Sequence, residues 1–217
     1  MIVLKYVQVI IMKFILIRHG ETYANALYNT DKRILIGALD EPVSQLNEVG
    51  IQQANETKII LENYKVDEVY SSDLGRTRQT ASIIFNDKDI HYTSLLRERS
   101  LGSDEGKLVD EVFSRDEVWK YHVNTEEDSI EECLTKKVID GESYTEVMNR
   151  CKKFLSQFNM NEDKTIAVVA HFHLFRCFIY VLLNKEPDRE MMRMLIPNAY
   201  PIVYTYINNT FVLENRG

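Results

Sequence analysis

The chain has 217 residues, 45% of them hydrophobic and 27% charged, with a net charge of −7 and a pI near 5.3. That is ample apolar material for one domain, with or without an inserted subdomain, and too much for a disordered chain. No Lys/Arg cluster suited to a polyanion is present, so nucleic acid is not an expected partner. The three cysteines, Cys133, Cys151 and Cys177, form neither a C-x-x-C nor a His/Cys metal spacing. They read as reduced thiols in a cytoplasmic protein.

Met1 to Ile17 is mostly apolar but broken by Lys5, Gln8 and Lys13. It has no small-residue cleavage site, and a membrane span needs about 20 apolar residues with few charges. We read it as a buried strand, Phe14–Ile17, preceded by an extension over residues 1–12, with no membrane association. Met12 is an alternative start, which an intact mass beginning at Met1 would reject.

Further along, Leu46–Leu61 reads as a helix with apolar positions at Val49, Ile60 and Leu61 and Ala54 between, and Asp67–Tyr70 as a short strand. Ser72 and Asp73 are cap residues for a helix running to about Phe85. His91–Leu95 alternates like a strand. Residues 107–140 are polar and irregular, with an acidic run from Glu126 to Glu132, and are expected to form a cap or lid. Glu142–Phe158 is amphipathic, with Val147, Cys151, Phe154 and Leu155 on one face. Thr165–Ala170 is a continuous apolar strand, and His173–Leu183 a largely buried helix with Cys177 in the core. Pro201–Ile207 and Phe211–Leu213 are closing strands joined by an Asn-Asn turn. Alternating strands and helices predict an α/β sheet covered on both faces, with ligands beyond the carboxyl ends of its strands.

Three segments meet that rule: Arg18-His19-Gly20, Ser71 to Arg76, and Ala170-His171. Neighbouring strands would bring Arg18, His19, Arg76 and His171 to one pocket. Two permanently charged guanidiniums suit a phosphoryl group, and Arg76 lies in a first helical turn, where the backbone favours an anion. A neutral His19, its pKa lowered by the neighbouring cations, can attack phosphorus. His171 can donate to an equatorial oxygen. Asn25 can place an amide on the same phosphate or simply cap a turn. Gly20 allows a tight turn. Glu98, after the third strand, can protonate the leaving group and then deprotonate the attacking water, its pKa raised beside a bound phosphate. A salt-bridge cluster with Arg97 and Arg99 is the competing reading. His173 reads as a first-turn residue, and His91 and His122 as structural or exposed.

These motifs resemble the histidine phosphatase superfamily, also called phosphoglycerate mutase-like. The matching stretches are ILIRHGETYAN (15–25), LNEVGIQQA (46–54), VYSSDLGRTRQTA (69–81), LLRERSLGSDEG (95–106), GESYTEVMNRCKKFL (141–155) and VVAHFHLFR (168–176). They stand in the family's order and span most of the chain from Lys13 onward. The resemblance implies a three-layer α/β/α sandwich with a mostly parallel six-stranded sheet and a small helical or irregular cap insertion at about 107–140, in one domain over residues 13–217. It also implies phosphorylation of His19, a phosphate pocket of Arg18, Arg76 and His171, acid/base catalysis by Glu98, and no metal or other cofactor.

The sequence departs from the family in three places. Phe172 and His173 follow His171 where two glycines are usual, which leaves the Phe172 N–H as a potential donor but alters the mouth. The stretch from Asn25 to Gly37 is long and carries Lys32-Arg33. The region after Gly106 lacks the paired arginines and proline-rich run of cofactor-dependent phosphoglycerate mutases. The expectation is therefore a phosphomonoesterase acting on a small phosphorylated metabolite. The alternatives are a phosphoglycerate mutase-type phosphoryl transfer and a catalytically weak, phosphate-binding regulatory protein. Acidic residues in 126–132 and basic ones (Lys107, Arg115, Lys120, Lys136, Lys137 and the Lys32-Arg33 pair) leave the leaving group open, and oligomeric state is equally open.

Overall fold

The computed structural model describes residues 11–115 and 127–214. The upstream extension to Ile10, together with Lys120, His122 and Glu126, lies outside them. In chain order the elements are β1 (Met12–Arg18), α1 (Tyr23–Ala26), α2 (Glu48–Leu61), β2 (Glu68–Ser72), α3 (Gly75–Ile84), β3 (Ile90–Thr93), α4 (Val109–Phe113), α5 (Ile130–Thr135), α6 (Tyr144–Leu155), β4 (Lys164–Ala170), α7 (Phe172–Leu182), α8 (Arg189–Arg193), β5 (Pro201–Ile207) and β6 (Thr210–Leu213). The six strands lie in the order β3-β2-β4-β1-β5-β6. β1 to β4 pair in parallel, and β5 runs antiparallel to both β1 and β6.

Strand alternation divides the core between two faces. Phe14, Leu16, Ile166, Val168 and Ala170 pack with α6 and α7, including Cys151, Phe154 and Cys177. Ile15, Ile17, Val69, Ala167 and Val169 pack with Ala54 and Leu61 of α2 and Ala81 and Ile84 of α3. The result is the expected α/β/α arrangement.

Local expectations shift in four places. Of the apolar positions of α2, Ala54 and Leu61 are buried while Val49 and Ile60 are exposed, and the helix also buries Gly50 and Thr57. The reason is a close approach: a Cβ on Gly50 would lie 2.0 Å from Glu21 O, and one on Gly20 would lie 2.4 Å from Gly50 O. Gly20 is therefore needed for this main-chain contact, not for a left-handed turn. The third strand ends at Thr93, and Ser94–Leu96 forms a 3₁₀ turn. Neither Ser72 nor Asp73 caps α3, whose N-cap is Leu74 without a side-chain bond. The expected irregular region holds α4 and α5, and Val109 and Val112 form a small core with Leu35.

Candidate active site

Register places the chemistry. Arg18 is paired with Ala170 at the carboxyl ends of β1 and β4, and the next residue, His19, donates its backbone N–H to Ala170 O at 3.0 Å. His171 follows directly, so the His19 and His171 rings stand 5.3 Å apart between centroids. His19 is 5% exposed and His171 fully buried. β2 ends beside them at Ser72, and α3 carries Arg76, 2% exposed. The four expected pocket residues are thus brought together.

His19 Nδ1 lies 2.8 Å from Gly20 O. A carbonyl only accepts, so in the neutral ring Nδ1 carries the proton and Nε2 keeps its lone pair. Burial, then Arg76, then Arg18 hold its pKa well below the ordinary 6.5, against a smaller opposing effect of the Gly20 bond. This is the neutral nucleophile that attack at phosphorus requires. Asn198 donates Nδ2 to His19 O at 2.8 Å and steadies the same residue from the far side.

Arg76 spreads its donors. Nε bonds His171 Nδ1 at 3.3 Å, Nη1 bonds Leu39 O and Nη2 bonds Gly37 O, both at 2.8 Å. Two of its five N–H groups remain for an anion. The α3 N-terminus, expected to favour an anion, is already served by Asp40, whose Oδ1 accepts from Gly75 N at 2.8 Å. Because Arg76 donates to His171 Nδ1, the His171 proton sits on Nε2, which donates to Ser72 Oγ at 2.9 Å. His171 is held neutral by burial, then by Arg76, His19 and Arg18.

Arg18 donates Nη1 to Ile196 O at 2.9 Å. Its Nε is buried without a hydrogen-bond partner, a costly state that a phosphate oxygen would relieve. Burial lowers its pKa to about 10. Its guanidinium lies 4.8 Å from the Phe172 ring centroid, and that of Arg176 lies 4.1 Å from the same centroid. Phe172 thus meets the site with its ring, and its N–H is the first of α7.

Glu98 is 7% exposed. Its Oε1 accepts from Arg99 N at 2.8 Å and Leu174 N at 3.0 Å, and its Oε2 from His173 N at 3.1 Å. Its charge acts on both Arg18 and Arg76, so it stands beside the pocket. Arg97 does not pair with it: Nε and Nη2 instead grip Asp73 at 2.7 and 2.8 Å. Asn25 closes the capping box of α1, with its Oδ1 accepting from Thr22 N at 3.2 Å. His91 is exposed, against Tyr70. Among the described residues no cluster of His, Cys, Asp and Glu could hold a metal ion, and no helix is long and apolar enough to cross a membrane.

Sequence reasoning leaves out Asn198, Tyr144 and Arg176, and it reads Ser72 as a helix cap within the Ser71–Arg76 segment. Ser72 alone carried a signal, its place at the end of a strand. Residues 14–217 match the histidine phosphatase superfamily (branch 1). The chain belongs to that family. It is 32% identical over 179 residues to the Yersinia pestis (strain Pestoides F) protein named "Probable phosphoglycerate mutase GpmB", covering 81% of this chain and 76% of that one. Among solved structures it resembles phosphoserine phosphatase from Entamoeba histolytica in complex with 3-phosphoglyceric acid (27% identity, TM-score 0.69, 94% of this chain and 95% of that one). It also shares its fold with the α-ribazole phosphatase from Shigella flexneri (22% identity, TM-score 0.76, 94% and 95%). The family is one of phosphatases and mutases, and this chain is a phosphoryl-transfer enzyme of it.

Proposed function

We propose that this member of the family is a metal-independent phosphomonoesterase that hydrolyses a small phosphorylated metabolite through a phosphohistidine on His19. The observation that carries the reading is the His19 ring: its Nδ1–H is spent on Gly20 O, which leaves Nε2 free and unprotonated beside two guanidiniums. In the first step Nε2 forms a bond to phosphorus as the P–O bond to the leaving group breaks. The electron pair stays on the ester oxygen, which takes a proton from Glu98. In the second step Glu98 takes a proton from water, the water oxygen bonds to phosphorus, and the P–N electron pair returns to Nε2. Arg18 and Arg76 hold the phosphoryl oxygens through both steps. His171 contributes Nε2–H once the proton donated to Ser72 is redirected to an oxygen.

The three backbone donors fill both acceptor sites of Glu98 Oε1 and one of the two on Oε2. The vacant place is on Oε2, and that is where the transferred proton sits. Relatives named for phosphoserine, α-ribazole phosphate and phosphoglycerate chemistry support a small ester as substrate. The name of the Yersinia relative favours a second reading, transfer of the phosphoryl group between two hydroxyls of phosphoglycerate.

The test is phosphate release from a panel of phosphorylated metabolites in EDTA, beside His19→Ala. Turnover by wild type alone, with inhibition by vanadate, supports the phosphatase. Interconversion of phosphoglycerates faster than phosphate release favours the mutase. Vanadate binding with no turnover of any ester rejects both and leaves a phosphate-binding regulatory protein.

A further inference from the structure

The Glu98 carboxylate is held entirely by main-chain donors: its own neighbour Arg99, and His173 and Leu174 in the first turn of α7. Its orientation therefore depends on how that turn sits against residues 98 and 99. One side chain links the two. Tyr144, the first residue of α6 and 4% exposed, has its hydroxyl 2.8 Å from His173 Nδ1. On its ring face it meets Arg99, whose guanidinium lies 4.6 Å from the centroid and whose Nε donates to Glu142 O at 2.9 Å.

The contacts close a ring around the carboxylate: Glu98 to the His173 N–H, His173 to Tyr144, Tyr144 to Arg99, and the Arg99 N–H back to Glu98. Burial raises the Tyr144 pKa, and burial followed by Arg99, Arg176 and Arg18 lowers that of His173. Both partners are neutral in the working range, so their hydrogen bond does not titrate away. A glycine at position 173 would supply the N–H and none of the rest.

We infer that His173 and Tyr144 are positioning residues that set the Glu98 carboxyl for proton transfer to the leaving group. The inference rests on the reaction proposed above. Its signature is dependence on the leaving group. 4-Nitrophenolate leaves without a proton, whereas an alkoxide needs one. The readout is the ratio of kcat/KM for 4-nitrophenyl phosphate to that for glycerol 2-phosphate.

Glu98→Gln should raise this ratio by about a hundredfold or more, the scale of general acid catalysis. Tyr144→Phe and His173→Ala should each raise it by about tenfold, a part of the same effect. His173→Asn, which keeps an amide near the Nδ1 position, should stay within about threefold of wild type. Tyr144→Phe is nearly isosteric and carries the test if His173→Ala fails to fold. Equal losses on both esters in Tyr144→Phe would make the contact merely structural and overturn the inference. A raised ratio in Glu98→Gln alone would overturn the brace and keep the reaction. A flat ratio in Glu98→Gln would remove Glu98 as the acid, and the brace with it. Absence of turnover on either ester by wild type would reject the proposed reaction itself.

Discussion

The pocket at the strand ends and the described residues between Ser100 and Gly141 are held in different ways. His19 and His171 stand where parallel strands stop, and the β1–β4 ladder fixes their separation. The flanking segment is instead pinned by side chains. Glu105 Oε1 accepts from Ala38 N and Leu101 N, both at 2.8 Å, and Asp104 pairs with Lys107 at 3.3 Å and Arg115 at 3.4 Å. Gly102 turns with φ +52° against Ile139 O. A one-residue slip of this ladder would turn every side chain to the opposite face and break the packing of both core layers. A loop pinned by carboxylates can be re-pinned by a few substitutions. The strand-end pocket can therefore be kept while this flank is redrawn.

If that contrast holds, changes in the pocket should act on rate and changes in the flank on stability. His19→Ala should lower phosphate release at least roughly 10⁴-fold, the loss expected of a covalent nucleophile. Hydrolysis within tenfold of wild type, measured by single turnover, would place the nucleophile elsewhere. Arg76→Lys keeps a charge but loses the fork onto Gly37 O and Leu39 O. A fall in kcat/KM of about 10²- to 10³-fold is expected, as for loss of one oxyanion donor.

The pH dependence of stability sharpens the contrast further. His19, His171 and His173 are all held neutral, with folded pKa values well below 6.5. Their unfolded forms bind protons first as the pH falls. Stability is then fully present above about 6.5 and declines on acidification below it, because the unfolded chain holds more protons. Urea midpoints at neutral and mildly acidic pH check this, and His171→Gln should reduce the slope. In the flank, Asp104→Asn should cost about 1–2 kcal/mol, since Lys107 and Arg115 are more than a third exposed and screened. Its kcat/KM should stay within about threefold of wild type, a shift too small to count as a lost catalytic contact. A larger kinetic loss than that would erase the distinction.

Particular residues show what could be read in the chain itself. Arg18, His19 and His171 were legible because a continuous apolar run announces a buried parallel strand, and the next polar residues must stand at its end. Arg76 followed from its place just after β2. Ser72 was read as a cap because its spacing to the helix allowed it, and its bond to His171 spans 99 residues that no local pattern encodes. Val49 and Ile60 are apolar positions of α2, yet both face outward. The small side of α2 faces inward instead, where the main chain of Glu21 leaves no room for a side chain. The Glu98 seat depends on α7 arriving from 76 residues away, and the tie between His173 and Tyr144 on a helix packing that composition does not specify.

The contact between Gly20 and Gly50 has a practical side. Since it is main chain on main chain, the residues after His19 are seated directly against helix α2. Ile59 is 64% exposed on that helix. It offers an anchoring point: a linker or fluorophore attached at that position would hold the molecule by a helix whose buried side packs against the loop after His19.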